Sequence, residues 1–396
     1  MAIVDIEPGL QDIEEEVRDT AHRFAEEVMR PAGATLDRLA DPADVIASGS
    51  VLWSVFEKYR GLGLQAIEED PTVEPATRAR IQAIVAEELG WGDSGLAVSL
   101  GVAAFPRLLA TMSGNQSLVD RFDDAIGCWA VTEPDHGSDV LAFTERPFRD
   151  PSLKPNCVAR VTGDELEIRG QKSAWVSNGS VATAAALFCT LDAGQGFAGG
   201  CVVLVPLDLP GVSRGQPLDK LGQRALNQGE IFFDGVRVPL DHLVVPPELY
   251  PMTVELVLSV ANAGMGTIFV GVARAALEHA TAYAHSRVQG GVPIFEHQSV
   301  RSRLFKMFMK VEAARALARR VAVFNALNPP LIQYSIASKV FSTTTAFEVA
   351  SEAVQIFGGN GLSRTYPVEK LLRDARASMI EDGCNEVLGL VGASRL

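Results

Sequence analysis

Metal-ligand spacing is missing from this sequence. Its six histidines form neither H-E-x-x-H nor another ligand arrangement, and its five cysteines, Cys128, Cys157, Cys189, Cys201 and Cys384, form no C-x-x-C pair. No metal site is therefore expected. The cysteines stand mostly in apolar, strand-like surroundings and read as buried free thiols. Basic charge is also in deficit: 35 Lys and Arg against 49 Asp and Glu leave a formal net charge of −14. That balance disfavours a sequence-independent grip on nucleic acid or an anionic membrane, both of which need cationic excess. The N-terminal "MAIVDIEPGLQDIEEEVRD" has no basic stretch followed by an apolar run, and no uncharged stretch reads as long enough to span a bilayer. The expected address is cytoplasmic. Repeats and low-complexity segments are lacking too.

What is there is a chain of 396 residues, 47% hydrophobic and 21% charged, long enough for two or three domains around a large core. Up to about residue 122 the pattern is helical. "IEEEVRDTAHRFAEEVMRPAG" carries apolar residues three and four apart, with Pro31 and Gly33 expected to end the helix. Between 126 and 239 short β-rich runs such as "ELEIRGQKSAWVS", "AAALFCTL" and "GCVVLVPL" alternate with Gly, Asp, Asn and Pro, which predicts an antiparallel barrel or sandwich. From about residue 252 long helical patterns return, broken at "VQGGVPI", "LNPPL", "GGNG" and "EDGCN". The expected domains are 1–125, helical; 126–240, β; and 241–396, helical.

A β unit between helical layers suggests a ligand clamped between domains. In "TEPDHGSD" the Glu133-Pro134 step fixes an extended entry, Gly137 permits close backbone approach, and Thr132 and Ser138 offer hydroxyls, although a surface turn would have the same composition. Further motifs follow in order: "GQKSAWVSNGS", "KLGQR" before "FDGVRVP", "RVQGGVPIFEHQ", and "AVQIFGGNGLSRTYPVEKLLRDAR".

Together these resemble the acyl-CoA dehydrogenase flavoprotein family over nearly the whole chain. The family's T-E-P-x-x-G-S-D is present unchanged. Its W-I-T-N stands as Trp175-Val176-Ser177-Asn178, and its Q-x-x-G-G-x-G stands at 355–361. The resemblance implies an α+β fold with an N-terminal helical domain, a middle antiparallel β-barrel and a C-terminal four-helix bundle. It implies noncovalent FAD as cofactor. Trp129, Val131, Thr132, Gly137 and Ser138 would line the flavin and the thioester arm of the substrate, and Trp175 would pack on the ring. Ser177 matches a threonine whose hydroxyl bonds flavin N5, the hydride acceptor. Gln355, Gly358 and Gly359 match the loop that accommodates the dinucleotide, while Arg287 and Gln298 match residues that reach its pyrophosphate from a neighbouring subunit. A homotetramer is implied.

The family's base is the glutamate of an I-Y-E-G-T run, which here reads Ile380-Glu381-Asp382-Gly383-Cys384. Asp382 takes the base position, Glu381 is its rival, and Cys384 counts with the cofactor-contacting residues. Ala261 occupies the position where some members place the base on an earlier helix. Gly290 replaces a flavin-contacting phenylalanine, Leu362 replaces an aromatic residue, and "LGLQAIEEDPTVEP" stands in place of the usual Gly-Gly substrate loop. The implied activity is FAD-dependent dehydrogenation of an acyl thioester, carried on coenzyme A or an acyl-carrier protein, with electrons passing to an electron-transfer flavoprotein or another acceptor. Aspartate as base makes a ring-shaped or branched acyl group plausible. Two other readings stay open: a nitroalkane-oxidase-like flavoenzyme, and a catalytically silent flavoprotein in which Asp382 is a helix cap.

Overall fold

The computed structural model describes residues 6–7, 9–191 and 194–396. The first helical segment comprises α1 (Asp12–Phe24), α2 (Arg30–Asp37), α3 (Val51–Arg60), α4 (Leu64–Glu69), α5 (Pro75–Gly92), α6 (Ser94–Ala103), α7 (Phe105–Ser113) and α8 (Gln116–Phe122). Pro31 does not end the first helix, contrary to the sequence expectation. A π-helical turn at Ala25–Met29, closed by the Arg30 N–H on the Ala25 carbonyl, joins α1 to α2, and the widened turn lets the helix run on through Pro31 in the first turn of α2.

Strands follow: β1 (Gly127–Ala130), β2 (Val158–Thr162), β3 (Glu165–Lys172), β4 (Ala184–Thr190), β5 (Gly200–Pro206), β6 (Val212–Arg214), β7 (Ile231–Pro239) and β8 (Leu243–Val245). They form one sheet in the order β6-β7-β3-β2-β4-β5-β8, with β1 attached to β4. Most pairs are antiparallel as expected, but β1 and β2 both run parallel to β4. Every residue of β4 and β5 is buried, which explains their unbroken apolar runs. Ala185, Leu187, Val203 and Val205 join Leu166, Ile168, Val236 and Val238 in the interior of the curled sheet. Their alternates Ala184, Ala186, Phe188, Val202 and Leu204 face the helices.

The last segment carries α9 (Tyr250–Ser286), a short hairpin of β9 (Val288–Gln289) and β10 (Val292–Pro293), then α10 (Gln298–Leu327), α11 (Ile332–Phe357), α12 (Val368–Ser378) and α13 (Asn385–Ala393). Among the described residues, Ser94–Ser113 and Pro247–Ser286 are long and apolar enough to cross a membrane by length and composition, which the sequence reading did not foresee. The second stretch holds α9, the central helix, and 72% of its most apolar window is enclosed by the rest of the protein. Helix α9 packs on α5 and α11. Its approach to α5 is set by glycine: a Cβ on Gly271 would strike the Glu87 carbonyl, and one on Gly90 would strike that of Ile268.

Candidate active site

The acids of "TEPDHGSD" fasten the loop to the sheet. Glu133 is buried, and its carboxylate meets Lys172 Nζ at 2.7 Å and accepts the Cys157 N–H at 3.1 Å. Lys172 also donates to the Val131 carbonyl at 3.1 Å, tying the exit of β1 to β3. Asp139 accepts the Gly137 N–H at 2.7 Å and lies 2.8 Å from His136 Nδ1. With its acids consumed internally, the loop offers Ser138, whose Oγ accepts the Cys384 N–H at 2.9 Å. This bond joins the β segment to the turn at 380–384.

The second motif leaves β3 at Lys172. Trp175 is 59% exposed, an unusual position for so large an aromatic ring. Asn178, in the left-handed region at φ 61°, is fully buried; its amide donates to the carbonyls of Ser99 and Gly127 at 2.9 and 3.2 Å. Ser177 is reached by a chain that begins at Lys220. The Lys220 ammonium donates to Gln228 Oε1 at 2.7 Å, and Gln228 Nε2 donates to Ser177 Oγ at 3.3 Å and to the Trp175 carbonyl at 3.1 Å. An ammonium can only donate, so the Gln228 amide orientation follows, and the Ser177 hydroxyl retains its own proton to give. Burial pushes Lys220 down to about 8.

The turn between α12 and α13 holds both candidate carboxylates. Asp382 adopts φ 51° and Gly383 φ 93°. Glu381 Oε2 accepts from Gln223 Nε2 at 2.9 Å, and Gln223 is itself held at its N–H by Asp374. Burial raises Glu381 to about 7; Lys220 and Gln223 oppose the rise and Asp382 adds to it. Burial also raises Asp382, against the pull of Lys339. Asp382 receives no hydrogen bond from any described residue. It caps neither helix, because α12 closes at Met379 and α13 opens at Cys384.

The remaining positions predicted from sequence are spread more widely. Thr132 is half-buried, and its carbonyl accepts the Ser173 N–H at 2.9 Å. Val131 belongs to the core shared with the helices, and Trp129 packs on Phe105 and Phe188 at ring distances of 5.6 and 5.9 Å. Gln355 is exposed at the end of α11, just before Gly358 and Gly359. Arg287 and Gln298 are exposed on either side of the β9–β10 hairpin, and within one chain the Arg287 guanidinium has no hydrogen-bond or ion-pair partner among the described residues. Ala261, half-buried on α9, offers no ionisable group. Sequence reasoning missed Gln223, Gln228 and Lys339; Lys339 had a signal, as the one charged residue in "IQYSIASKVFSTTTAF".

These residues suit a flavin dinucleotide. Gly137, Gly358 and Gly359 face open space, with no atom within 4 Å of where a Cβ would sit. The exposed indole of Trp175 offers a ring platform, Ser177 a free hydroxyl proton and Arg287 an unpaired guanidinium for phosphate. The buried Trp129 Nε1 also lacks a partner.

Comparison with known proteins places the chain in a family. The family description "Acyl-CoA dehydrogenase, middle domain" matches residues 128–236, and "Acyl-CoA dehydrogenase, C-terminal domain" matches residues 254–396. The mitochondrial short-chain specific acyl-CoA dehydrogenase of Homo sapiens is 30% identical over 387 residues, covering 95% of this chain and 88% of that protein. A probable acyl-CoA dehydrogenase of Bacillus subtilis (strain 168) is 29% identical, with 96% and 97% covered. The structure of butyryl-CoA dehydrogenase from Megasphaera elsdenii superposes with a TM-score of 0.85 at 25% identity, covering 99% of each chain. Residue motifs, fold and relatives thus converge, and the chain belongs to the acyl-CoA dehydrogenase family of FAD-dependent oxidoreductases.

Proposed function

We propose that this enzyme dehydrogenates a short acyl-CoA thioester, with Asp382 as the base. Bound FAD supplies the hydride-accepting chemistry. Asp382 takes the proton that the thioester carbonyl acidifies on the neighbouring carbon, and Ser177, with its proton free, would donate to the bound flavin. Trp175 would cover the flavin ring, and the loop at 131–139 and the turn at 380–384 would flank the substrate. The observation that carries this reading is the Ser138–Cys384 hydrogen bond, which sets the loop against the turn containing a carboxylate free of hydrogen bonds. Asp382 is favoured over Glu381 because Gln223 occupies the latter's carboxylate.

Aspartate is one methylene shorter than glutamate, so the reacting carbon must lie roughly 1 Å nearer the backbone, and a misplacement of that size costs about 10²-fold in rate. Branched or ring-shaped acyl groups are therefore favoured over straight ones. The electron acceptor is an electron-transfer flavoprotein or a protein of similar role. Exposed Phe305, Phe308 and Met309 on α10, with Tyr334 and Phe341 on α11, are apolar positions suited to contact with further copies of the chain. A homotetramer would bring Arg287 and Gln298 to a neighbour's dinucleotide.

The test is anaerobic mixing of the FAD-loaded enzyme with butyryl-, isobutyryl- and cyclohexanecarbonyl-CoA, following loss of the flavin band. The reading expects bleaching, fastest with one of the latter two. Nitroethane-dependent peroxide without thioester bleaching would move the function to nitroalkane oxidation. No reduction by either class would leave a silent flavoprotein.

A further inference from the structure

Beneath the turn at 380–384 lies a buried cation that the proposed chemistry leaves without a task. Lys339 on α11 is fully enclosed. Its Nζ donates to the Gly383 carbonyl and to Asn385 Oδ1, both at 2.8 Å. Asn385 is held in turn, donating to Thr343 Oγ1 at 3.1 Å. Both acceptors are neutral, and no carboxylate among the described residues lies at ion-pair distance from this ammonium. A buried charge bonded only to neutral groups keeps an uncancelled field, and it is tolerated only where something nearby offsets the loss of water. The anionic or ionisable groups that face it are Asp382, Glu381, Cys384 and Glu386. The cations facing the two candidate carboxylates are Lys339 for Asp382, and Lys220 and Lys339 for Glu381.

We infer that Lys339 is a positioning residue for the base: its ammonium pins the Asp382–Gly383 turn through the Gly383 carbonyl, and its charge favours the ionised Asp382 carboxylate. The inference rests on the reading of Asp382 as base. Two observations carry it. Asp382 is a non-glycine residue at φ 51°, followed by Gly383 at φ 93°, a backbone that needs outside support and receives it one residue later. The Asp382 carboxylate also accepts no hydrogen bond, so the field of Lys339 opposes the cost of its burial. Titration directions agree. Burial pulls Lys339 down to about 8, with Asp382 and Glu381 holding it up. The electrostatic part of this support should therefore weaken on the alkaline side as the ammonium loses its proton, while the neutral amine can still donate to Gly383.

The FAD-loaded Lys339→Met and Lys339→Gln variants test this; the glutamine keeps a donor for Gly383 but lacks the charge. Flavin reduction is followed against pH with whichever of the three acyl-CoA probes reduces wild type fastest. In parallel, the protonated-carboxyl infrared band that Asp382→Asn removes is titrated without substrate. Loss of the positive charge should raise the acid limb and the infrared midpoint together by about one pH unit in both variants. The high-pH plateau should fall further in Lys339→Met, by about 10-fold or more, because the turn also loses its anchor. Unmoved midpoints, with Asp382→Asn inactive, overturn the role of Lys339 alone. An Asp382→Asn protein that reduces at the wild-type rate overturns the base assignment and this inference together. If neither Lys339 variant folds, the coupling is read from the other side: Asp382→Asn removes a carboxylate that holds the Lys339 ammonium up, so the Lys339 midpoint followed by nitrogen NMR should fall, and an unmoved midpoint overturns the inference.

Discussion

Two groups of buried carboxylates in this molecule are shifted in opposite directions. Between α5, α9 and α10, Glu87 meets Arg274 and Arg315 at 2.9 Å each and Arg319 at 3.3 Å, while Glu88 meets Arg274 and, at 2.8 Å, His22. Burial alone would raise both acids. The guanidiniums overcome it at Glu87, and the His22 hydrogen bond together with Arg274 overcomes it at Glu88, so that Glu87 is lowered and Glu88 falls to about 2. At the turn between α12 and α13 the same burial wins: Glu381 has only an amide in contact and rises to about 7, and Asp382 has no contacting donor and also rises. Loss of water acts on both groups, fully at Glu87 and Glu88 and partly at half-buried Glu381 and Asp382; directly bonded cations decide the sign. The first group is a clamp between helices. The second holds two carboxylates whose protonated forms burial favours, with Glu381 raised to about 7 and Asp382 raised as well.

Removing the proposed base should give the largest effect. Asp382→Asn is expected to slow flavin reduction by about 10²- to 10⁴-fold, the range of general-base catalysis, while FAD content stays normal. Glu381→Gln should slow it far less, and the reverse order in stopped-flow traces would exchange their roles. In the clamp, Glu87→Gln leaves Arg274, Arg315 and Arg319 facing a neutral group. It should cost about 3–5 kcal/mol in a urea titration, and a cost below about 1 kcal/mol would show that this network does not hold the helices together.

Smaller effects refine the contrast. Gln228→Leu removes the donor to Ser177 and leaves the Lys220 ammonium with the Leu226 carbonyl as its hydrogen-bond acceptor. A change of about 0.5–1.5 kcal/mol, up to about 10-fold in reduction rate, should appear with a shifted flavin spectrum and retained FAD. An unchanged spectrum would detach this chain of bonds from the cofactor.

The smallest concerns His22, which Glu88 raises above its ordinary 6.5. A raised histidine contributes stability that is complete below 6.5 and lost as pH climbs through the folded value. His22→Gln should therefore lower the urea midpoint below that pH and match wild type well above it. Because His22 is partly exposed, the difference should stay under about 1 kcal/mol. The Glu88 contribution has the opposite sense: it is present above 4.5 and lost as pH falls toward about 2. An unchanged midpoint difference across the neutral range would remove His22 from the clamp.

Much of this was legible in the residues. Apolar spacing marked the helices, alternating and β-branched runs marked the strands, and the Gly- and Pro-rich breaks between the long C-terminal helices are breaks in the structure. The π-helical turn before Pro31 was not legible, since proline normally signals an end and only packing shows that a helix has widened to accept it. In "TEPDHGSD" the polar residues read as ligand donors, but Glu133 and Asp139 serve the loop itself. Gln223 and Gln228 carried no local signal, because an amide in a polar loop looks like any solvated side chain.

The sequence by itself determined where helices, strands and turns form and which residue types stand in the family motifs, because periodicity, turn chemistry and the reach of a side chain act over a few residues. By resemblance to the family motif it also pointed to Asp382 as the counterpart of the family's glutamate. Only the tertiary structure decided what each charge does. Glu133 finds its lysine 39 residues away, Lys339 reaches Gly383 across 44, Glu381 meets Gln223 across 158 and Glu87 meets Arg315 across 228. A carboxylate's proton affinity depends on burial and on the cations in contact, and folding alone brings those together.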